Sequence, residues 1–154
     1  MGYILKCKIN MDQNIFHMNL KKILVKNSMI EIEKCPTVQL GDFLKIAIDQ
    51  MDSFKLGIVC IIDNKKKLHG IITDGDLRRS LLRNQKPLSA ILVDDAINFA
   101  VKSPSIISEN DLLIDAINKM NEKQIWDLPI INSDNEFCGL LHLHTAIINY
   151  LNAT

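Results

Sequence analysis

The sequence predicts an α+β fold of two β-α-β-β-α repeats packed as a pseudo-two-fold pair. Three observations carry that prediction. The chain repeats itself at a shift of 69 residues: Asp42 matches Asp111, Leu44 matches Leu113, Ala47-Ile48 matches Ala116-Ile117, Met51 matches Met120, and Gly70 matches Gly139. No gap is needed between Pro36–Leu77 and Ser105–Ala146. Within each copy, helical spacing of apolar residues alternates with short β-branched runs bounded by turn residues. One unit of this size cannot cover its own sheet and helices, so the two copies must bury each other.

Each copy opens on a short extended piece, Thr37-Val38 in the first and Ile106-Ile107 in the second. An amphipathic helix follows, with apolar residues at Leu40, Phe43, Leu44, Ala47, Ile48 and Met51. Its counterpart carries Leu112, Leu113, Ala116, Ile117 and Met120. "GIVCIID" and "LPIIN" then read as buried strands, joined through the polar turns "DNKKK" and "NSDNE" to "LHGII" and "FCGLL". A second helix follows near residues 75–83 and again near 144–151. Residues 1–19 read as a mobile lead-in, 20–83 as the first repeat, 84–102 as a linker with its own short apolar turn or helix, and 103–151 as the second repeat. A further helix is predicted around "LKKILV", residues 20–25.

Lys plus Arg and Asp plus Glu each number 18, so the net charge is zero. Nucleic-acid and anionic-membrane binders carry a basic excess, so neither class of partner is expected. The hydrophobic fraction of 47% predicts a folded chain. Cys7, Cys35, Cys60 and Cys138 lie far apart without a Cys-x-x-Cys pair, which predicts free thiols in a reducing compartment. The polar-interrupted opening is neither a signal peptide nor a membrane span, and a cytoplasmic location is expected.

Two β-α-β-β-α copies, each with a Gly-aliphatic-aliphatic step into its second helix, resemble a tandem pair of cystathionine-β-synthase (CBS) domains. The ligand signature of that family is Gly, hydrophobics, Ser or Thr, two variable residues, then Asp. "GIITDGDL" fits it at Gly70, Thr73 and Asp76. The resemblance covers about residues 20–151. "TDGDLRR" and "GLLHLH" narrow it to the pair at the C-terminus of arabinose-5-phosphate isomerases, and the pair preceding some sugar-1-phosphate nucleotidyltransferases is also similar. The chain leaves no room for either catalytic domain.

The same residues support two readings. Thr-x-x-Asp at a helix start is a capping box, which contributes roughly 1 kcal/mol and requires no ligand. A helix N-terminus also offers unpaired N–H groups to a phosphate, and Gly75 permits close approach. Asp76 there can accept from a ribose diol, and Arg78 or Arg79 can clamp phosphate oxygens. The resemblance adds the strand region Leu56, Gly57, Ile58 and Val59 as the seat of the base. In the second copy His142 and Thr145 replace Thr73 and Asp76, so no equivalent carboxylate is expected there, and His142 is expected to line the first ligand's cleft.

His142-x-His144 supplies too few ligands for a closed metal site. Lys65-Lys66-Lys67 reads as a solvated turn, and Trp126 as a partly buried junction residue. No nucleophile, acid pair or phosphate loop assembles, so no catalysis and no required cofactor are expected. The expected function is regulatory: a homodimer that senses an adenine nucleotide or a CMP-activated sugar and modulates a partner such as a sugar-phosphate isomerase or nucleotidyltransferase. The rival readings are the C-terminal regulatory part of such an isomerase, and an assembly module with a vestigial site.

Overall fold

The computed structural model describes residues 22–153; the lead-in 1–19 lies outside the described residues. In chain order the elements are β1 (Ile30–Glu31), β2 (Thr37–Gln39), α1 (Leu44–Phe54), β3 (Ile58–Ile62), β4 (Leu68–Thr73), α2 (Asp74–Arg83), α3 (Leu88–Leu92), β5 (Ile107–Ser108), α4 (Leu113–Lys123), β6 (Asp127–Ile131), β7 (Phe137–His142) and α5 (Leu143–Ala153). They form two mixed sheets, of strand order β2-β3-β4 and β1-β7-β6-β5. The predicted α+β pair of repeats is the observed architecture.

The repeat extends to the backbone. Each hairpin strand pair has a register shift at the same place, between Ile61/Ile62 and between Ile130/Ile131. Helices α1 and α4 both end on a left-handed residue, Lys55 and Gln124, with that residue's N–H turned back into the last turn. Asp63 and Asn132 organise the two hairpin turns alike. Asp63 Oδ1 accepts from the N–H groups of Lys65 and Lys67, both at 2.9 Å. Asn132 Oδ1 accepts from Asp134 and Glu136 at the same distance.

Two helix starts differ from the prediction. Leu40 and Phe43 precede α1 and are half exposed, because Gly41 in a left-handed conformation and the Asp42 carboxylate, 2.8 Å from the Gln39 N–H, close a turn there. Phe43 instead makes an antiparallel bridge to Asp95, and its counterpart Leu112 makes one to Leu24. The helix predicted around residues 20–25 is also corrected. Among described residues, Leu24 is in that bridge and Val25–Asn27 form a 3-10 turn. Val25 and Lys26 direct their N–H groups to carbonyls of Asp111 and Glu109, so this segment is held by the second repeat rather than by its own helical turn.

Three apolar clusters result. Val38, Leu44, Ala47, Val59, Ile61 and Ile72 form the first repeat's core, completed by Ile91 and Ala96 from the segment between the repeats. Leu113, Ala116, Met120, Leu128, Ile130 and Leu141 form the second, completed by Val25 from the leading segment of the first repeat. The leading segment of each copy therefore packs on the other copy. Gly139 is where this exchange is tightest: an added Cβ would lie 2.4 Å from the Ile30 carbonyl of β1.

The third cluster, Cys35, Ile58, Cys60, Ile62, Phe137 and Leu140, joins the two sheets. Strand β3 is thus covered on both faces, and all five of its residues are buried. Cys35, Cys60 and Cys138 are free. Burial pushes the Cys35 thiol up to about 12 and the Cys138 thiol up to about 11, and raises Cys60 as well, which keeps them protonated packing groups. No helix of the described residues is long and apolar enough to cross a membrane.

Candidate functional site

Strand β4 runs directly into α2, and the junction holds Thr73 through Arg79. Thr73 is the N-cap, with its Oγ1 3.3 Å from the Asp76 N–H. Asp76 reaches back so that Oδ2 accepts from the Thr73 N–H at 3.0 Å and from its hydroxyl at 2.7 Å. The capping box is complete. The second carboxylate oxygen, Oδ1, accepts from the Arg79 guanidinium at 2.7 Å. Burial by itself would raise the Asp76 carboxyl; the hydrogen bonds from Thr73 and Arg79 outweigh it and hold it below the usual carboxylate value.

The Asp76 side chain is only 14% exposed, whereas Arg79 is 52% exposed. The carboxylate is held by two bonds from Thr73, and the guanidinium is its more exposed partner. Gly75 gives Arg79 its room, since a Cβ there would lie 3.2 Å from the guanidinium. Arg78 is exposed and makes no ion pair among the described residues. The first turn of α2 carries two carboxylates, Asp74 and Asp76, so the positive helix end is already balanced by its own acids. The helix end is therefore occupied by the capping box.

Asp74 binds the segment before β3. Its N–H donates to the Gly57 carbonyl at 3.1 Å, and a Cβ on Gly57 would lie 2.6 Å from its Oδ2. Leu56, Gly57, Asp74 and Leu77 line a depression of about 300 Å³, together with Ile48, Met51 and Asp52 of α1 and its cap Lys55. Ile58 and Val59 are fully buried on opposite faces of β3, Ile58 between the sheets and Val59 in the first core. They support the site from beneath and present no open surface. Gly70 lies in mid-strand, where a Cβ would lie 3.0 Å from Ala100 Cβ and from the Val101 carbonyl. It admits the chain ahead of the second repeat.

In the second copy, the structure supplies a carboxylate that the alignment of Asp76 with Thr145 does not reveal. His142 ends β7, and its Nδ1 lies 2.9 Å from Oδ1 of Asp127 at the start of β6. The pair spans the strand register in the way Thr73 and Ile58 do in the first copy. The signal was a charged residue opening a run that otherwise reads as buried strand. His142 makes no hydrogen bond or ion pair to Thr73, Asp76 or Arg79 among the described residues. Trp126, at the Gly57 position, is 68% exposed, more open than a junction residue is expected to be.

Comparison with known proteins gives the same outline. The model of the CBS domain matches residues 27–83 and 92–150. The chain is 29% identical over 123 residues to the arabinose 5-phosphate isomerase KpsF of Escherichia coli, covering 80% of this chain and 36% of that protein. Across the first relatives found, the chain spans 36–38% of their length. Among solved structures, a CBS domain-containing protein of unknown function from Bacillus anthracis superposes with a TM-score of 0.75 at 23% identity, over 86% of this chain and 95% of that one. The structure of CBSX2 in complex with AMP superposes with a TM-score of 0.73 at 21% identity, over 84% and 96%.

Proposed function

The chain belongs to the CBS domain family, and we propose that it is a regulatory pair that binds a ribonucleotide at the β4–α2 junction of its first repeat. The observation that carries the reading is Asp76, a nearly buried carboxylate, ionised at neutral pH and held by Thr73, whose remaining bond goes to a half-exposed arginine. A ribose diol takes the place of Arg79 on Oδ1, and the released guanidinium is left beside the site to meet a phosphate oxygen. The depression between Leu56, Gly57 and Leu77 seats the base. An adenine nucleotide is the first candidate, because AMP is bound by the neighbour CBSX2. A CMP-activated sugar is the second, because relatives include arabinose 5-phosphate isomerases. The role is regulatory rather than catalytic: the ligand shifts the pair between two arrangements of different affinity, and a partner enzyme reads the shift.

A thermal-shift screen over adenine, cytidine, guanine and uridine nucleotides and their sugar conjugates tests this reading. At least one ribonucleotide is expected to stabilise the chain and its 2′-deoxy analogue to stabilise it less, since the diol is what Asp76 recognises. Stabilisation by none of them, or equally by the deoxy form, would remove the proposed site.

Assembly into a homodimer belongs to the same proposal. Leu81 and Leu82 on α2, and Ile147, Ile148 and Leu151 on α5, remain 39–81% exposed. Apolar surface of this kind on two helices marks an interaction face, and a two-fold dimer is the commonest way to cover it. Light scattering is expected to give about twice the mass of one chain at micromolar concentration; a monomer mass would refute the dimer.

A further inference from the structure

A second cleft, of about 270 Å³, lies between the repeats and shares no lining residue with the nucleotide site. It is bounded by Lys67 and Leu68 at the first hairpin, Lys102, Ser103 and Pro104 from the segment entering the second repeat, and Ile106, Ile131 and Asn135 beyond them. No carboxylate lines it. Lys67 and Lys102 make no ion pair among the described residues, whereas Glu136, which takes the Lys67 position in the second hairpin, is tied to Asn132 Nδ2 at 3.0 Å. Two lysines without an ion pair therefore line one opening, in a chain whose net charge is zero.

The pseudo-two-fold relation explains why the cleft is there. On the related side, Phe137 stands where the open side has Leu68, and Lys66 where it has Asn135. The Phe137 N–H donates to the Lys66 carbonyl at 2.7 Å, and its ring is fully buried between the sheets. No such bond joins Leu68 to Asn135 among the described residues. One side is plugged by its own sequence and the other is left open. Lys67 is held in position by its N–H bond to Asp63, and Lys102 by the preceding residue, Val101, which pairs with Ile71 of β4.

We propose that this cleft is a second binding site, and that its ligand is a small phosphorylated polyol such as a sugar phosphate. A phosphomonoester dianion matches two ammonium groups. Ser103 and Asn135 offer a hydroxyl and an amide to sugar hydroxyls, and Leu68, Pro104, Ile106 and Ile131 offer an apolar floor to the carbon face. Residues of both repeats close on the ligand, so its binding resists their separation. The inference does not rest on the nucleotide reading, since the two sites have no residue in common.

Amide chemical-shift mapping of the isotope-labelled chain tests it, with arabinose 5-phosphate as probe and arabinose alone as control. Arabinose 5-phosphate is expected to shift the amides of Lys67, Leu68, Lys102, Ser103 and Asn135 in a saturable way below about 10 mM, and arabinose is not. Lys67→Gln and Lys102→Gln are each expected to weaken binding about tenfold, while Lys123→Gln, away from the cleft, leaves it unchanged. Folding of each variant is read from the rest of the same spectrum. Shifts confined to residues 73–79, no shift at all, or equal weakening in Lys123→Gln would overturn the proposal. Failure of the nucleotide screen would leave it standing.

Discussion

Saturating AMP is expected to raise the melting temperature of the native chain and to leave Asp76→Ala almost unmoved. A ligand at a hundred times its dissociation constant adds about 2.7 kcal/mol, which for a chain of this size is roughly 5–10 °C. The variant carries a cost of its own. It strips the acceptor from the Thr73 N–H and hydroxyl and releases Arg79, which is worth about 1–2 kcal/mol before any ligand is present. The two effects separate because each variant is compared with its own unliganded state. Thr145→Ala, at the matching place in the second copy, should keep most of the shift. Arg79→Gln should weaken AMP more than adenosine, since the freed guanidinium is assigned to the phosphate. Calorimetric titration decides: an undiminished affinity in Asp76→Ala would reduce this junction to a helix cap, and equal losses in Asp76→Ala and Thr145→Ala would mean that the site is misplaced.

The largest loss of stability is expected from Phe137→Ala. Its ring is fully buried in the cluster joining the sheets, and removing it leaves a cavity between Cys35, Ile58, Cys60 and Leu140. Such truncations cost about 3–5 kcal/mol, a large part of the roughly 5–15 kcal/mol that holds a domain folded. Leu68→Ala, at the related position, should cost about half of that or less, because Leu68 is only half-buried beside the open cleft. Urea midpoints at unchanged slope measure the difference. Equal losses would show that the two sides of the pair are packed alike, and would also remove the physical basis for one open cleft.

The sequence by itself determined the repeat, the order and kind of the elements from β2 onward, and the chemistry of the first helix start. These are short-range matters. The Thr73–Asp76 box lies within one helical turn, so its spacing can be read directly. The unbroken apolar run of β3 already requires a strand covered on both faces, although Leu40 and Phe43 suggested a longer α1 because helical spacing cannot register the turn at Gly41. Tertiary structure decided the rest. Asp127 meets His142 only through the antiparallel register of β6 and β7, fifteen positions apart in sequence. Val25 completes the second core and Ile91 the first, an exchange that no pattern within one copy can express. Lys67 and Lys102 line one cleft, and Phe137 plugs its counterpart, because two copies of similar pattern pack about a pseudo-dyad with different side chains on either side of it. Periodicity reports which face of an element is apolar. Which element covers that face, and what is left open beside it, is settled by the packing of the two repeats.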